Sequence, residues 1–366
     1  MNINIKEIIE HYNFQGAFID YEPYGSGHIN DTYLLAFESS NLEPDYKVLQ
    51  RINKIVFTQP VEVMENIIGV TSYLREQIIK NGGDWERETL SVIPATDGKP
   101  YYMDSTGEYW RIYHYIPNVT CYDKVEKPED FYESAVAFGH FQYLLADYPA
   151  HTLHETIPRF HDTEARFLKF KDVVAKDACG RVATAQSEID FAMKRHDLAR
   201  VLGDLLKKGE IPLRVTHNDT KLNNVLIDNK TGKGICVIDL DTVMPGLAIN
   251  DFGDSIRFGA STGAEDEQDL DKINCDLELF KLYTKGFMKG CNGRLTEKEI
   301  ELLPMGAKVM TFECGLRFLT DYLEGDQYFK VQRDGQNLDR CRTQFKLVLD
   351  MEQKWDEICR IVQELR

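Results

Sequence analysis

Hydrophobic and polar residues alternate at near period two in three early runs, Gly16 to Glu22, Thr32 to Glu38 and Tyr46 to Ile52, with Gly, Asn and Pro between them. Successive strand side chains point to opposite faces, so this rhythm predicts a small antiparallel sheet. The period then changes. Ile67, Val70, Leu74 and Ile78 recur at helical spacing up to the stop at Asn81-Gly82-Gly83, predicting a helix over 66–80. Ser91 to Ile116 returns to strand character, with a hairpin of Tyr101–Met103 and Tyr109–Tyr115 about the Asp104–Gly107 turn. Ile116-Pro117-Asn118 closes this part, so the expected organisation is an N-terminal lobe, 1–116, and a C-terminal lobe, 117–366.

The second lobe reads as mainly helical. Phe131, Ala135, Phe138, Gln142 and Leu145 form one helical stripe, and 190–207 and 276–289 also read as helices. Thr296 and Glu299 make a capping box ahead of a helix whose stripe is Leu303, Ala307, Met310, Cys314 and Arg317. A long terminal helix is expected over 338–365, through Phe345, Val348, Trp355 and Val362. One stretch interrupts the helices: Leu213–Thr216, Asn224–Asp228 and Gly234–Leu240 are β-rich, the last two joined by the turn residues Asn229 to Lys233. The fold class is therefore α+β, a sheet-rich lobe followed by a helical lobe that holds a small hairpin.

Composition narrows the function. The 366 residues are 43% hydrophobic and 28% charged, an ordinary globular balance. Lys and Arg number 43 against 60 Asp and Glu, a net charge of −17, which repels a phosphate backbone and argues against nucleic acid as a partner. No apolar run approaches the ~18 residues needed to cross a bilayer, so no membrane partner is expected. Met1 to Ile9 lacks the pattern of a secretory signal, and the eight scattered cysteines form no C-x-x-C pair. Free thiols in a reducing compartment fit, and the expected location is cytoplasmic.

The chemistry is concentrated in Val215-Thr216-His217-Asn218-Asp219-Thr220-Lys221-Leu222-Asn223-Asn224, which contains H-x-D-x-x-x-x-N, and in Asp239 at the end of an apolar strand. Phosphoryl transfer needs a base that orients and deprotonates the acceptor hydroxyl, and oxygen ligands that hold Mg²⁺ on the nucleotide phosphates. Asp219 fits the base; Asn224 and Asp239 fit the metal. If the strand continues, period two puts Asp241 on the same side as Asp239, which makes it a further metal or supporting residue. Asp251-Phe252-Gly253 spells the metal-binding tripeptide of protein kinases but lies beyond the hairpin, so Asp251 is read as support for the catalytic loop. Tyr24-Gly25-Ser26-Gly27-His28 fills the place of a phosphate-covering turn between two strands, where Gly25 and Gly27 would let backbone N–H groups approach phosphate.

These strings, with Val237-Ile238-Asp239-Leu240-Asp241-Thr242-Val243-Met244-Pro245-Gly246 and Asp251 to Gly259, resemble the aminoglycoside phosphotransferase-like small-molecule kinases and, more closely, the bacterial N-acetylhexosamine 1-kinases. The resemblance runs over nearly the whole chain. It implies a protein-kinase-like fold, ATP and Mg²⁺ as cofactors, and phosphorylation of the anomeric hydroxyl of N-acetylglucosamine or N-acetylgalactosamine. It also implies that His28, Arg317 and Tyr328 touch the sugar. Phe258 is placed to offer an apolar face to the ring or the acetamido methyl. Adenine is expected along 112–116, which brings in Tyr115.

One departure stands out. The strand position of the phosphate-pairing lysine of typical kinases is held by Gln50, followed by Arg51, with Lys47 nearby. Arg51 is a candidate replacement because guanidinium binds phosphate well, although strand neighbours face opposite sides. The altered position keeps a non-catalytic, nucleotide-binding pseudokinase in view beside a same-fold kinase acting on another hexose, an aminoglycoside or choline. His151, His154 and His161 are not spaced to share one helical face, and the carboxylates from Glu265 to Asp271 read as a solvated loop or helix start.

Overall fold

Hydrogen bonding and burial, rather than propensity alone, decide where each run of the chain settles in the computed structural model, which describes residues 5–25, 29–40 and 43–366. The N-terminal lobe runs α1 (Ile5–Ile9), β1 (Phe18–Pro23), β2 (Asp31–Phe37), β3 (Asp45–Ile52), α2 (Pro60–Lys80), α3 (Trp85–Glu88), β4 (Val92–Ile93), β5 (Tyr102–Met103) and β6 (Tyr109–His114). The strands form one antiparallel sheet in the order β1-β2-β3-β6-β4, with β5 also on β6. Alternation divides its side chains. Leu35, Leu49 and Ile112 enter a small core closed by Ile5 and Ile8, whereas Val48 and Tyr113 join the main core with Ile67 and Val70 of α2. Helix α2 starts at Pro60, earlier than the stripe predicts, because Val63 and Met64 extend the buried face and proline's missing N–H is harmless in a first turn.

The C-terminal lobe follows with β7 (Val119–Thr120), α4 (Pro128–Leu144), α5 (Thr163–Lys176), α6 (Gln186–Met193), α7 (His196–Lys207), β8 (Arg214–Thr216), β9 (Val225–Asp228), β10 (Gly234–Val237) and β11 (Met244–Gly246). After these come α8 (Ala248–Gly259), α9 (Leu277–Cys291), α10 (Glu297–Leu323), α11 (Gln336–Gln353) and α12 (Trp355–Leu365). Strands pair in the order β10-β9-β7, and β11 pairs β8. The capping box of α10 forms, with Thr296 Oγ1 accepting from the Glu299 N–H at 3.2 Å and the Glu299 carboxylate accepting from the Thr296 N–H at 2.7 Å.

Three sequence expectations are corrected. The helix expected over 190–207 is two helices, because Arg195 leaves the helical path to stack on Phe191 and to bridge Glu352 of α11 at 2.7 Å. The terminal helix also breaks, at Lys354, whose Nζ donates to the Cys275 carbonyl at 3.0 Å, and α12 turns to pack on α9 and α10. Strand β10 stops at Val237 instead of reaching Leu240: Asp239 is left-handed (φ 60°) and Leu240–Thr242 form a 3-10 turn.

Helix α8 carries much of the site, and its position is set by a close crossing with α10. A Cβ on Gly253 would lie 2.3 Å from the Gly306 carbonyl oxygen, and one on Gly306 would lie 2.3 Å from that of Ile249. Only glycine at both positions lets the backbones approach this closely. Phe252 of α8 then packs against Tyr283 and Phe287 of α9, which fixes the helix from the other side. Among the described residues, no helix is long and apolar enough to cross a membrane.

Candidate active site

The loop after β8 is held almost atom by atom. Asp251 accepts the backbone N–H groups of His217 (2.9 Å) and Asn218 (2.8 Å), and Asp254 accepts that of Thr220 (3.0 Å). Gln142 reaches from α4 to Asp251 Oδ2 and to the Val215 carbonyl, both at 3.0 Å. Asn218 sits at φ 65°, a conformation Asn tolerates, and its side chain donates to the Thr242 carbonyl at 2.8 Å. His217 Nε2 lies 2.8 Å from the Ile238 carbonyl, which can only accept, so Nε2 carries the proton and Nδ1 accepts the Asp219 N–H at 3.3 Å.

These bonds present Asp219 at the cleft with Lys221 Nζ 2.9 Å away. Burial works against the charge on Lys221, but the Asp219 carboxylate beside it prevails and holds the lysine above its ordinary value. Asn224 Nδ2 donates to the Asp219 carbonyl (2.7 Å) and to its carboxylate (3.3 Å), leaving the amide oxygen as the end available to a cation. Asp219 and Asn224 are thus brought together as the motif spacing predicts.

Asp239 is exposed, with Asp241 and Asp219 near enough to act on its carboxylate. Burial, then the negative charges of Asp241 and Asp219, push its carboxyl up to about 6. Asn224 and Asp239 offer hard oxygens, the donor type Mg²⁺ prefers, and Mg²⁺ commonly takes one or two protein carboxylates and completes its shell with phosphate and water. No three His, Cys, Asp or Glu side chains among the described residues group around one point. Asp241 behaves differently from the strand-alternation argument. The turn after Asp239 removes the alternation, and the Asp241 carboxylate is taken by the Arg111 guanidinium and by Asn30 Nδ2.

Of the glycines expected at the nucleotide, Gly25 has φ 81°, while Gly27, like His28, lies outside the described residues. Tyr115, just past β6, packs its ring 5.6 Å from Tyr46 and 6.3 Å from Tyr24. Gln50 donates to Thr32 Oγ1 at 3.1 Å and accepts from Arg111 at 2.9 and 3.1 Å. Arg51 pairs with Asp31 and Lys47 with Asp45, so the two cations offered for phosphate are engaged along the strands rather than at Asp239.

Arg317 and Tyr328, expected at the sugar, come together. The Arg317 guanidinium lies 5.3, 5.9 and 5.5 Å from the rings of Phe160, Tyr328 and Phe329, and no ion pair or hydrogen bond engages it among the described residues. The 327–329 turn is fixed by Asp321, which accepts its three consecutive N–H groups at 2.7–2.9 Å and leaves Tyr328 60% exposed. Phe258 is half-buried at the end of α8, beside the Arg257–Asp254 ion pair of 2.9 Å.

Sequence reasoning missed His161. Its Nδ1 lies 2.8 Å from the Glu313 carboxylate and its Nε2 3.1 Å from the Asn218 carbonyl, and so it joins the Arg317 corner to the catalytic loop. Burial raises the Glu313 carboxyl, but His161, Arg166 and Thr163 outweigh it and hold the group down to about 2. A cavity of about 340 Å³ lined by Phe160, His161, Asn218, Met244 and Asn250 adjoins this corner. Asp219, Asn224 and Asp239 are not in its wall.

Residues 20–279 match the model of the phosphotransferase enzyme family. Among solved structures, the chain is similar to a microcompartment-associated aminopropanol kinase, with 16% identity and a TM-score of 0.62 over 97% of each chain. It is also similar to choline kinase from Cryptosporidium parvum, with 15% identity and a TM-score of 0.56 over 94% of this chain and 92% of that one. A third likeness is to spectinomycin phosphotransferase in complex with ADP and spectinomycin, with 13% identity and a TM-score of 0.54 over 98% and 97%. At these identities the likeness shows a shared fold, the protein-kinase-like arrangement of sheet lobe and helical lobe.

Proposed function

The chain belongs to the phosphotransferase enzyme family, and from that premise we propose that it transfers the γ-phosphoryl group of ATP to the anomeric hydroxyl of an N-acetylhexosamine, giving the sugar 1-phosphate. The observation that supports the transfer step is that Asn224 bonds to Asp219 and that Asp239 lies near enough to feel the Asp219 charge, with the loop before Asp219 held by Asp251. Asp219 orients the acceptor hydroxyl for in-line attack and takes its proton as the new P–O bond forms, while the β–γ bridging bond breaks and ADP leaves. Lys221 Nζ, 2.9 Å from Asp219, is placed to meet charge on the transferring group. Mg²⁺ on Asn224 and Asp239 would neutralise charge on the nucleotide phosphates.

The acceptor assignment rests on the Arg317 corner. Aminopropanol kinase, choline kinase and spectinomycin phosphotransferase are named for amine-bearing compounds, and a cationic acceptor needs carboxylates or open aromatic faces around it. Here burial, and after it the charge of nearby Arg317, lower the Arg166 guanidinium to about 10. Arg317 also covers the rings of Phe160, Tyr328 and Phe329. Its free donors suit the hydroxyl and acetamido oxygens of a neutral sugar and repel an ammonium group. Steady-state assays with N-acetylhexosamines, plain hexoses, choline, ethanolamine and an aminoglycoside test this. Turnover confined to the amines overturns the sugar assignment, and ATP consumption with none of them favours a nucleotide-binding protein without kinase activity.

A further inference from the structure

Gln50 stands where a phosphate-pairing strand lysine would, and among the described residues no carboxylate of α2 bonds to it or to its neighbour Arg111. Helix α2 presents Met64 instead, whose sulfur lies 3.8 Å from Arg111 Nη1. Arg111 is the cross-strand partner of Gln50, one strand over. Its side chain is 1% exposed, and each guanidinium nitrogen is committed. Nε and Nη2 donate to Gln50 Oε1, while Nη1 and Nη2 form a fork on Asp241, the Nη2 arm measuring 2.9 Å.

Asp241 belongs to the helical lobe and is 2% exposed. Besides Arg111 it accepts Asn30 Nδ2 at 2.5 Å, from the segment that follows the glycine turn, and Asn30 Oδ1 in turn accepts the Asn53 N–H at 3.0 Å. One carboxylate therefore ties the metal-bearing turn to β6, to β3 through Gln50 and to the entry of β2. Asp239 lies between two anchors. Ile238 on one side donates its N–H to the Asn224 carbonyl at 2.9 Å and receives His217; Asp241 on the other side is held by Arg111.

A buried ion pair is weak evidence for stability, since apolar residues of similar volume often serve as well, and a pair that joins two lobes has positioning as its best-supported use. We propose that Arg111 and Asp241 form an inter-lobe positioning pair that sets the Asp239 turn and the Gln50 amide at the nucleotide, in place of a strand lysine paired with a helix glutamate. With Oε1 locked by two guanidinium donors, Gln50 can turn only its NH₂ toward the cleft, where Thr32 takes one hydrogen and the other is free for phosphate. Asp241 acts on Arg111 and is not a metal ligand. The proposal rests on the reading of the cleft as a Mg²⁺–nucleotide site.

The test compares wild type with R111K and the double variant R111M/D241M, reading Mg²⁺-dependent ADP binding by calorimetry, the KM values for ATP and acceptor, and Tm. The double variant removes both charges together and is expected to keep Tm near wild type. Its Mg²⁺–ADP affinity should fall by about 10–100-fold, the usual effect of losing a residue that orients a metal ligand, with acceptor KM unchanged. R111K keeps the charge but loses the fork, and an intermediate loss is expected. A folded double variant with wild-type Mg²⁺–ADP affinity overturns the proposal. Should that variant not fold, R111K with wild-type affinity overturns it equally. Wild-type protein that binds no ADP in the presence of Mg²⁺ overturns the nucleotide-site reading itself, a failure visible before any variant is made.

Discussion

Asp251 accepts the backbone N–H of His217 at 2.9 Å, and the same carboxylate takes the next N–H of the chain, from Asn218, at 2.8 Å. Burial pushes its carboxyl above the ordinary range even though these bonds favour the charged form, so the group is retained at a cost that loop positioning offsets. Asp251→Asn keeps the volume but leaves one N–H facing an amide NH₂. The expected result is a loss of stability of about 1–3 kcal/mol in urea unfolding, with kcat falling more than either KM. An unchanged kcat would show that the loop needs no such support.

Asp219→Asn keeps the shape of the side chain and removes the proton acceptor. Turnover should fall by about 10²–10⁴-fold, as is typical for loss of a positioned base, while ADP binding with Mg²⁺ stays within a few-fold of wild type. Near-normal turnover would remove Asp219 from the chemistry.

Asp239 has a folded-state pKa raised to about 6 by burial and by the charges of Asp241 and Asp219. Above that pH the ligand-free protein carries an unfavourable charge, partly screened by the water that reaches this exposed side chain, so Asp239→Asn should raise the ligand-free Tm at pH 7.5 by no more than on the order of 1–2 °C. The gain should shrink below pH 6, where wild-type Asp239 takes up a proton. The same variant should lose the Tm increase produced by Mg²⁺ and ADP together. A lower Tm in the ligand-free variant would contradict this.

Glu313 gives the opposite sign. Its side chain is 1% exposed, and its pKa is held down to about 2 by His161, Arg166 and Thr163 against the effect of burial. A carboxylate with a depressed folded value contributes stability that is complete above its unfolded value of ~4.3 and is lost as pH falls toward 2. Relative to Glu313→Gln, wild type should be more stable by on the order of 3 kcal/mol at pH 7. The gap should begin to narrow near pH 5 and close only as pH approaches 2, and a gap independent of pH would refute the assignment.

Much of this site is legible in the sequence because its residues are close in the chain. His217, Asp219 and Asn224 fall within one turn of loop and strand, and their spacing survives folding unchanged. The strands of the N-terminal lobe are legible for the same reason, since alternation is a local property. Arg111 and His161 were not, because their partners Asp241 and Glu313 are distant in sequence and only the packed lobes bring them together. Asp241 shows the limit of pattern reasoning: alternation holds only while the strand continues, and the left-handed Asp239 ends it. The breaks at Arg195 and Lys354 were likewise hidden, as both depend on tertiary partners, Glu352 and the Cys275 carbonyl.

Phosphorus NMR of a mixture of the protein, Mg²⁺, ATP and N-acetylglucosamine or N-acetylgalactosamine tests the central claim most directly. The account predicts a new phosphomonoester signal coupled to the anomeric proton, growing as ADP accumulates and missing from the Asp219→Asn sample. A signal coupled to any other sugar proton, or ADP formation with inorganic phosphate as the sole product, would contradict it.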